Sequence, residues 1–234
     1  MIVYGRNVLE EVLKSHHPVK MVYLRKDEKD RPSQLIEKLK KLNCPFTFVP
    51  DKKLAELCGE AKNQGVVVDL EFRYADESEI KGDLVVLLDH INDPHNLGAI
   101  ARTALAAGAG AIVIPKDRSV GVTPSAVKVS AGTLLRIPVV KVTNLPRTID
   151  DLKEKGYWVY GADMEGTSIY EEDFRPPVAL VLGSEGEGLS RLVKQKCDQL
   201  IEVPMYADID SLNVSVSAGI ILFEMARKMR KVGR

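Results

Sequence analysis

Asp89 to Pro115 reads DHINDPHNLGAIARTALAAGAGAIVIP, and this stretch decides the fold class. An apolar run, Leu84 to Leu88, leads into a polar turn containing Pro94, His95 and Asn96. The pattern then becomes helical until Gly108 and Gly110 close it, and a second apolar run, Ala111 to Ile114, comes next. The spacing predicts a strand, a loaded turn, a helix and a strand. Leu97, Ile100, Ala101, Ala104 and Leu105 share one helical face, and Arg102 lies well off it. An enzyme built on an α/β sheet places polar working groups in such a turn and just past it.

Outward from this stretch, apolar runs recur at Ile137 to Val142, Trp158 to Tyr160, Val178 to Leu182 and Leu200 to Val203. Continuous runs separated by helical patterns predict a mostly parallel sheet covered on both faces. Thr123 with Pro124 starts one intervening helix, and Pro146 to Lys155 forms another that Gly156 stops. In the last helix, Val214, Ala218, Ile221, Leu222, Met225 and Met229 form one stripe, which must bury itself against the sheet or another subunit. Trp158 and Tyr160 read as strand packing on one side, with Tyr157 on the other.

Upstream, residues 1–72 read as a small α/β domain: a helix from Val8 to Leu13, a strand from Val19 to Leu24, a helix marked by Leu35, Ile36, Leu39 and Leu42 with Ser33 as a cap, and a strand from Phe46 to Val49. A short helix from Asp51 to Cys58, opened by an Asp cap, and a strand from Val66 to Leu70 complete it. Residues 73–82 are acidic and poor in aliphatics, the best linker, and residues 83–234 form the second domain.

The chain has 234 residues, an apolar fraction of 45% and a formal net charge of +0. No stretch approaches the roughly 18 consecutive apolar residues of a membrane span, and acidic residues interrupt the start, MIVYGRNVLEEV, before a signal-peptide core can form. Three scattered cysteines, Cys44, Cys58 and Cys197, fit a reducing, cytoplasmic setting. Zero net charge does not exclude nucleic acid, because local patches suffice. Basic residues cluster at Lys116 and Arg118, at Lys128 and Arg136, and in the tail from Arg227 to Arg234, where a solvated surface is the plainer explanation.

Three loops carry more polar groups than their turns require: Asp93 to Asn96, Gly183 to Gly188, and Ser211 to Ser217. The second, VLGSEGEGLSR, lacks the order of a dinucleotide fingerprint, and Glu185 and Glu187 would repel a pyrophosphate. It suits a ligand that is neutral or positive, such as a sulfonium; the plainer reading is a surface turn before a helix capped by Ser190 or the preceding glycines. In the third, Asn213 and Ser215 stand at a helix opening, where capping is the plainer role. No histidine has a cysteine or carboxylate at metal-ligand spacing, and no G-x-S-x-G elbow accompanies a serine.

Together the three loops resemble the motifs of the knotted RNA 2'-O-ribose methyltransferases of the SpoU/TrmH type, which use S-adenosylmethionine (AdoMet). NDPHNLGAIARTA (Asn92 to Ala104), LGSEGEGL (Leu182 to Leu189) and IEVPMYADIDSLNVSVSA (Ile201 to Ala218) match in order. IVIPKDRS (Ile112 to Ser119) and KVTNLPRT (Lys141 to Thr148) look most like the branch that methylates a guanosine ribose in 23S rRNA of the large subunit. In that branch a small domain resembling a ribosomal protein precedes the knot, as residues 1–72 do here.

The resemblance implies a deep trefoil knot in the mostly parallel domain, a homodimer interface along the last helix, large-subunit rRNA as partner, and no metal or membrane. It implies that backbone around Leu182, Gly183, Ile201, Val203, Met205 and Leu212 holds AdoMet. It also implies that Arg102 assists loss of the hydroxyl proton, with Asn96 and Glu185 positioning it or the RNA and Asn213 and Ser215 completing the site. A guanidinium is a poor base, so two roles stand: Arg102 is the base, or it clamps the adjacent phosphate and stabilises the alkoxide. An ion pair with Glu185 is the plain structural alternative. A tRNA ribose, RNA binding without catalysis, and an α/β enzyme using another nucleotide are the competing functions. The chain departs from the 23S branch where Asn63 replaces a common histidine and Leu135 a common glutamate.

Overall fold

A computed structural model describes residues 1–26, 33–209 and 211–232. The capping role expected of the Ser33 side chain, and the end of the basic tail, lie outside what is described. In chain order the first elements are β1 (Ile2–Tyr4), α1 (Arg6–Val12), β2 (Val19–Arg25), α2 (Ser33–Lys41), β3 (Phe46–Val49), α3 (Asp51–Cys58) and β4 (Val66–Leu70). Next come β5 (Leu84–Leu88), α4 (Pro94–Ala107), β6 (Ala111–Pro115), α5 (Pro124–Val129), β7 (Val139–Val142) and α6 (Leu145–Glu154). The chain ends with β8 (Trp158–Ser168), β9 (Val178–Leu182), α7 (Arg191–Lys196), β10 (Gln199–Glu202) and α8 (Val214–Val232).

Two units form: Met1–Arg73 with Thr123–Arg136, and Tyr74–Val122 with Ile137–Arg234. In the first, the strand order is β1-β4-β2-β3, antiparallel across β1/β4 and β4/β2 and parallel across β2/β3. The strand β1 escaped the sequence reading because three residues are too few to show alternation. Asp51 is not a cap: Pro50 precedes the helix, and Asp51 is its first residue, 2.6 Å from Arg25. Residues 123–136, read from sequence as part of the second domain, belong to the first unit, where the Thr123 hydroxyl accepts from the Ala126 amide (3.2 Å) and opens α5. Their cations are paired there. Lys128 lies 4.8 Å over the Tyr4 ring and near Glu60, and Arg136 donates to Glu11 (3.0 Å).

The expected linker holds an ordered turn. Asp76 accepts from the Ser78 amide (3.0 Å) while Glu79 accepts from the Asp76 amide (3.1 Å), a reciprocal cap on Glu77–Glu79.

In the second unit the order is β10-β8-β9-β5-β6-β7, and every neighbouring pair is parallel. All five residues of β5, β6 and β9 are buried, as strands covered on both faces require. Strand register sets the height of the turns: Leu84 pairs with Val178 and Leu88 with Leu182, so β5 and β9 end level and their turns begin side by side. Strand β8 runs eight residues past the expected Tyr160, because β10 continues to pair with it beyond a register shift at Leu200/Ile201. Gly166 permits that approach, since a Cβ there would lie 2.4 Å from the Ile201 amide nitrogen. Trp158 corrects the strand-packing expectation: it is 49% exposed, while Tyr160 is buried against Phe174.

The stripe on α8 is also reassigned. Ala218, Ile221, Leu222 and Met225 are buried within the chain, where α8 packs on α4, so an intersubunit contact is not needed to explain them. Val216 and Phe223, one heptad apart, remain exposed on another face. No described helix is long and apolar enough to cross a membrane.

Candidate active site

The site is assembled at the carboxyl ends of β5 and β9 and at the amino end of α8. Asp93 caps α4 by accepting from the His95 amide (2.8 Å), and Pro94 occupies the first turn. This places Asn96 inside the opening turn, where it is only 6% exposed. A buried amide needs partners. Its Nδ2 donates to Glu185 Oε1 (3.0 Å), and its Oδ1 accepts from Asn213 Nδ2 (3.1 Å). Asn213 Nδ2 also donates to Glu185 Oε1. A carboxylate accepts only, so both amides must turn their NH2 groups toward it, which leaves one consistent orientation for each.

Asn213 serves the helix as well. Its Oδ1 accepts from the Ser215 amide (2.9 Å) and from the Ser215 hydroxyl (2.5 Å), and its carbonyl accepts from the Val216 and Ser217 amides (3.0 Å each). Capping and site-building, taken from the sequence as alternatives, are performed by opposite ends of one side chain.

Glu185 is presented by a closed loop. Ser184 and Gly188 exchange two backbone bonds (3.1 and 3.0 Å), and Gly183 lies so near them that a Cβ would stand 2.2 Å from the Gly188 carbonyl carbon. Gly186 and Gly188 adopt positive φ, which their lack of Cβ allows. Glu185 and Glu187 are both exposed and make no ion pair among the described residues. Ser190 precedes α7, but its side chain makes no capping bond.

Arg102 projects from the middle of α4, exposed, with no hydrogen bond or ion pair among the described residues. The ion pair to Glu185 weighed from sequence is therefore not formed; the Glu185 carboxylate is held by amides instead. The six residues named for cofactor binding fall into a gradient. Leu182, Gly183 and Ile201 are buried, Val203 and Leu212 half-buried, and Met205 exposed. Beside the site, Lys116 and Arg118 are exposed in the loop after β6, which leans on the first loop where the Val120 amide donates to the Ile91 carbonyl (2.8 Å).

The two departures from the 23S pattern sit in the first unit. Asn63 is fully buried, donating to the Glu60 carbonyl and accepting from the Gly65 amide (3.0 Å each), and Leu135 is in the core. Both side chains are structural. Sequence reasoning passed over the role of Asp89, the buried acid just after β5. Its signal was present: a carboxylate closing an all-apolar strand must be paired. No group of three or more potential ligands occurs among the described residues that could hold a metal.

The SpoU rRNA Methylase family model matches residues 83–223, and the model for RNA 2'-O ribose methyltransferase substrate binding matches residues 2–74. A Bacillus subtilis (strain 168) protein, YacO, whose name assigns it to the TrmH family of tRNA/rRNA methyltransferases, is 42% identical over 99% of this chain and 97% of its own. The crystal structure of the SpoU methyltransferase AviRb from Streptomyces viridochromogenes, in complex with the cofactor AdoMet, superposes with a TM-score of 0.86 at 26% identity, covering 100% of this chain and 91% of that one. An AdoMet-bound rRNA methyltransferase from Sinorhizobium meliloti gives 0.83 at 26% identity, over 97% and 86%.

Replacing Asn213 tests its double role. Asn213→Ala removes a cap and leaves the Oδ1 of the buried Asn96 without its donor, so it is expected to cost about 1–2 kcal/mol of stability in denaturant unfolding. Asn213→Ser, which can still cap, is expected to recover roughly half of that loss.

Proposed function

The chain belongs to the SpoU rRNA Methylase family, and from that premise we propose that it transfers the methyl group of AdoMet to the ribose 2'-hydroxyl of a guanosine in 23S rRNA. The observation that carries the reading is the joining of Asn96, Glu185 and Asn213, with Arg102, unpaired among the described residues, on the helix that carries Asn96. The guanosine assignment is supported by the stretches at Ile112 to Ser119 and Lys141 to Thr148 and by the domain that precedes them.

The residues fit the cofactor. Glu185 and Glu187 give the glycine loop a negative character with no paired cation among the described residues, which suits a sulfonium and repels a polyphosphate. Buried Leu182, Gly183 and Ile201 offer an apolar floor and backbone groups for the adenosine, with Val203, Met205 and Leu212 at its edge. When bound, AdoMet supplies an electrophilic methyl group on its sulfur.

The protein's share of the chemistry is placement and charge. The ribose oxygen must lie behind the methyl carbon, in line with the breaking C–S bond, so that the C–O bond forms as the sulfur departs as a neutral thioether and the hydroxyl proton passes to solvent water. Arg102 is available for the RNA because no protein group engages it among the described residues. It grips the phosphate next to the target ribose and stabilises the negative charge that grows on the oxygen. Asn96, Glu185, Asn213 and Ser215 hold the wall between RNA and cofactor, and Lys116 and Arg118 extend the cationic edge.

In this reading the C-terminal segment is threaded into a deep trefoil knot, which accounts for three sequence-distant loops meeting at one place. Residues 1–72 recognise RNA, residues 73–82 lead into the catalytic stretch of 83–234, from which residues 123–136 fold with the first unit, and the enzyme acts in the cytoplasm, where Cys44, Cys58 and Cys197 stay free. The exposed Val216 and Phe223 face of α8 joins two copies into a homodimer, so Phe223→Glu is expected to convert a dimer into a monomer in light scattering.

Transfer of labelled methyl from AdoMet to total RNA lacking the modification tests the function. The expected product is 2'-O-methylguanosine in 23S rRNA; label only in tRNA overturns the substrate, and no label in either RNA overturns the activity. Arg102→Ala is expected to slow single-turnover transfer about a hundredfold or more with AdoMet affinity unchanged, and equal loss of AdoMet binding would contradict its assignment to the RNA.

A further inference from the structure

We infer that Asp89 is a positioning residue that sets the shape of the glycine loop, an inference that rests on reading Gly183–Leu189 as the loop that holds AdoMet. Asp89 is the first residue after β5 and is 1% exposed. Its backbone amide donates to the Leu182 carbonyl (2.8 Å), its Oδ2 accepts from the Ser190 amide (2.7 Å), and its Oδ1 lies 2.7 Å from His90 Nδ1.

Leu182 is the residue before the loop and Ser190 the residue after it. One residue of the neighbouring strand end therefore grips both feet of the loop. Within the loop, Ser184 and Gly188 pair and Gly183 presses on Gly188, so the loop is a short closed ladder whose geometry is set at its base. At its far side Glu185 meets Asn96 and Asn213. Asp89 and Asn96 lie in the same turn-and-helix segment, so the first loop holds the glycine loop at both base and tip.

A side-chain oxygen acceptor is needed at this position. The Ser190 amide lies outside the hydrogen bonds of α7, and the Ser190 side chain caps nothing, so the amide depends on Asp89. Both carboxylate oxygens are engaged, which uses a buried charge without leaving either oxygen unpartnered. His90, at a φ of 60°, sets its ring beside Oδ1. Asparagine can keep the bond from Ser190 through its Oδ1, whereas alanine leaves that amide without a partner.

The test measures AdoMet affinity by calorimetry, RNA affinity, and single-turnover transfer at saturating AdoMet, all on the full-length protein. Asp89→Ala is expected to weaken AdoMet binding about tenfold or more, with RNA affinity unchanged and most of the transfer rate recovered once AdoMet saturates; Asp89→Asn is expected to restore most of the affinity. Ser190→Pro removes the same hydrogen bond from the other side, at a φ of −60° that proline accepts, and is expected to reproduce the loss with Asp89 intact. Wild-type AdoMet affinity in Asp89→Ala or Ser190→Pro overturns the inference. So does parallel loss of AdoMet and RNA affinity that asparagine fails to rescue. Failure of the wild-type protein to bind AdoMet overturns the proposed function instead.

Discussion

One carboxylate oxygen receives two side-chain amides, and the arrangement of the site depends on it. Glu185 Oε1 accepts from Asn96, 89 positions away in sequence, and from Asn213, 28 positions away, and the two amides are bonded to each other across 117 positions. Because a carboxylate offers no proton, the amides cannot flip without placing oxygen against oxygen. Three chain segments are thus held in one orientation by groups that leave Arg102 without a partner among the described residues. A Glu185–Arg102 ion pair would have tied up the cation; the amide cluster holds the acid without it.

This contact is possible because the sheet brings its strand ends level. Leu88 opposite Leu182 starts the first two loops at the same height, and the Asp89 amide bonded to the Leu182 carbonyl continues the ladder one step beyond the strands. From there Pro94 and the Asp93 cap turn the first loop into α4, while Gly183 lets the second fold tightly on itself. The third loop arrives through β10 and ends where Asn213 opens α8, which packs on α4 and so returns to the helix that carries Asn96 and Arg102. Strand register, helix caps and helix packing all converge on the same few side chains.

Much of this was legible from local pattern. The buried strands β5, β6 and β9 announce themselves as continuous apolar runs, and the Thr123 and Asn213 openings obey capping preferences that act over three or four residues. What stayed hidden depended on distant partners. Strand β8 extends to Ser168 only because β10 pairs with it, and residues 123–136 join the first unit through contacts that no periodicity reveals. The apolar stripe of α8 was visible, but its burial against α4 rather than a second subunit was not. The role of Asp89 needed the positions of Leu182 and Ser190, about a hundred residues away. The grouping of the three loops into one site came from their resemblance to a family, since spacing alone left each with a plainer explanation.

The central claim is that Glu185 and Asn213 act as one unit in the site. A double-mutant cycle on single-turnover methyl transfer, using Glu185→Ala, Asn213→Ala and the pair, measures this directly. The account predicts strong non-additivity, with the double variant within about threefold of the slower single variant, because either change dismantles the same cluster. Losses that multiply, as they do for independent sites, would contradict it.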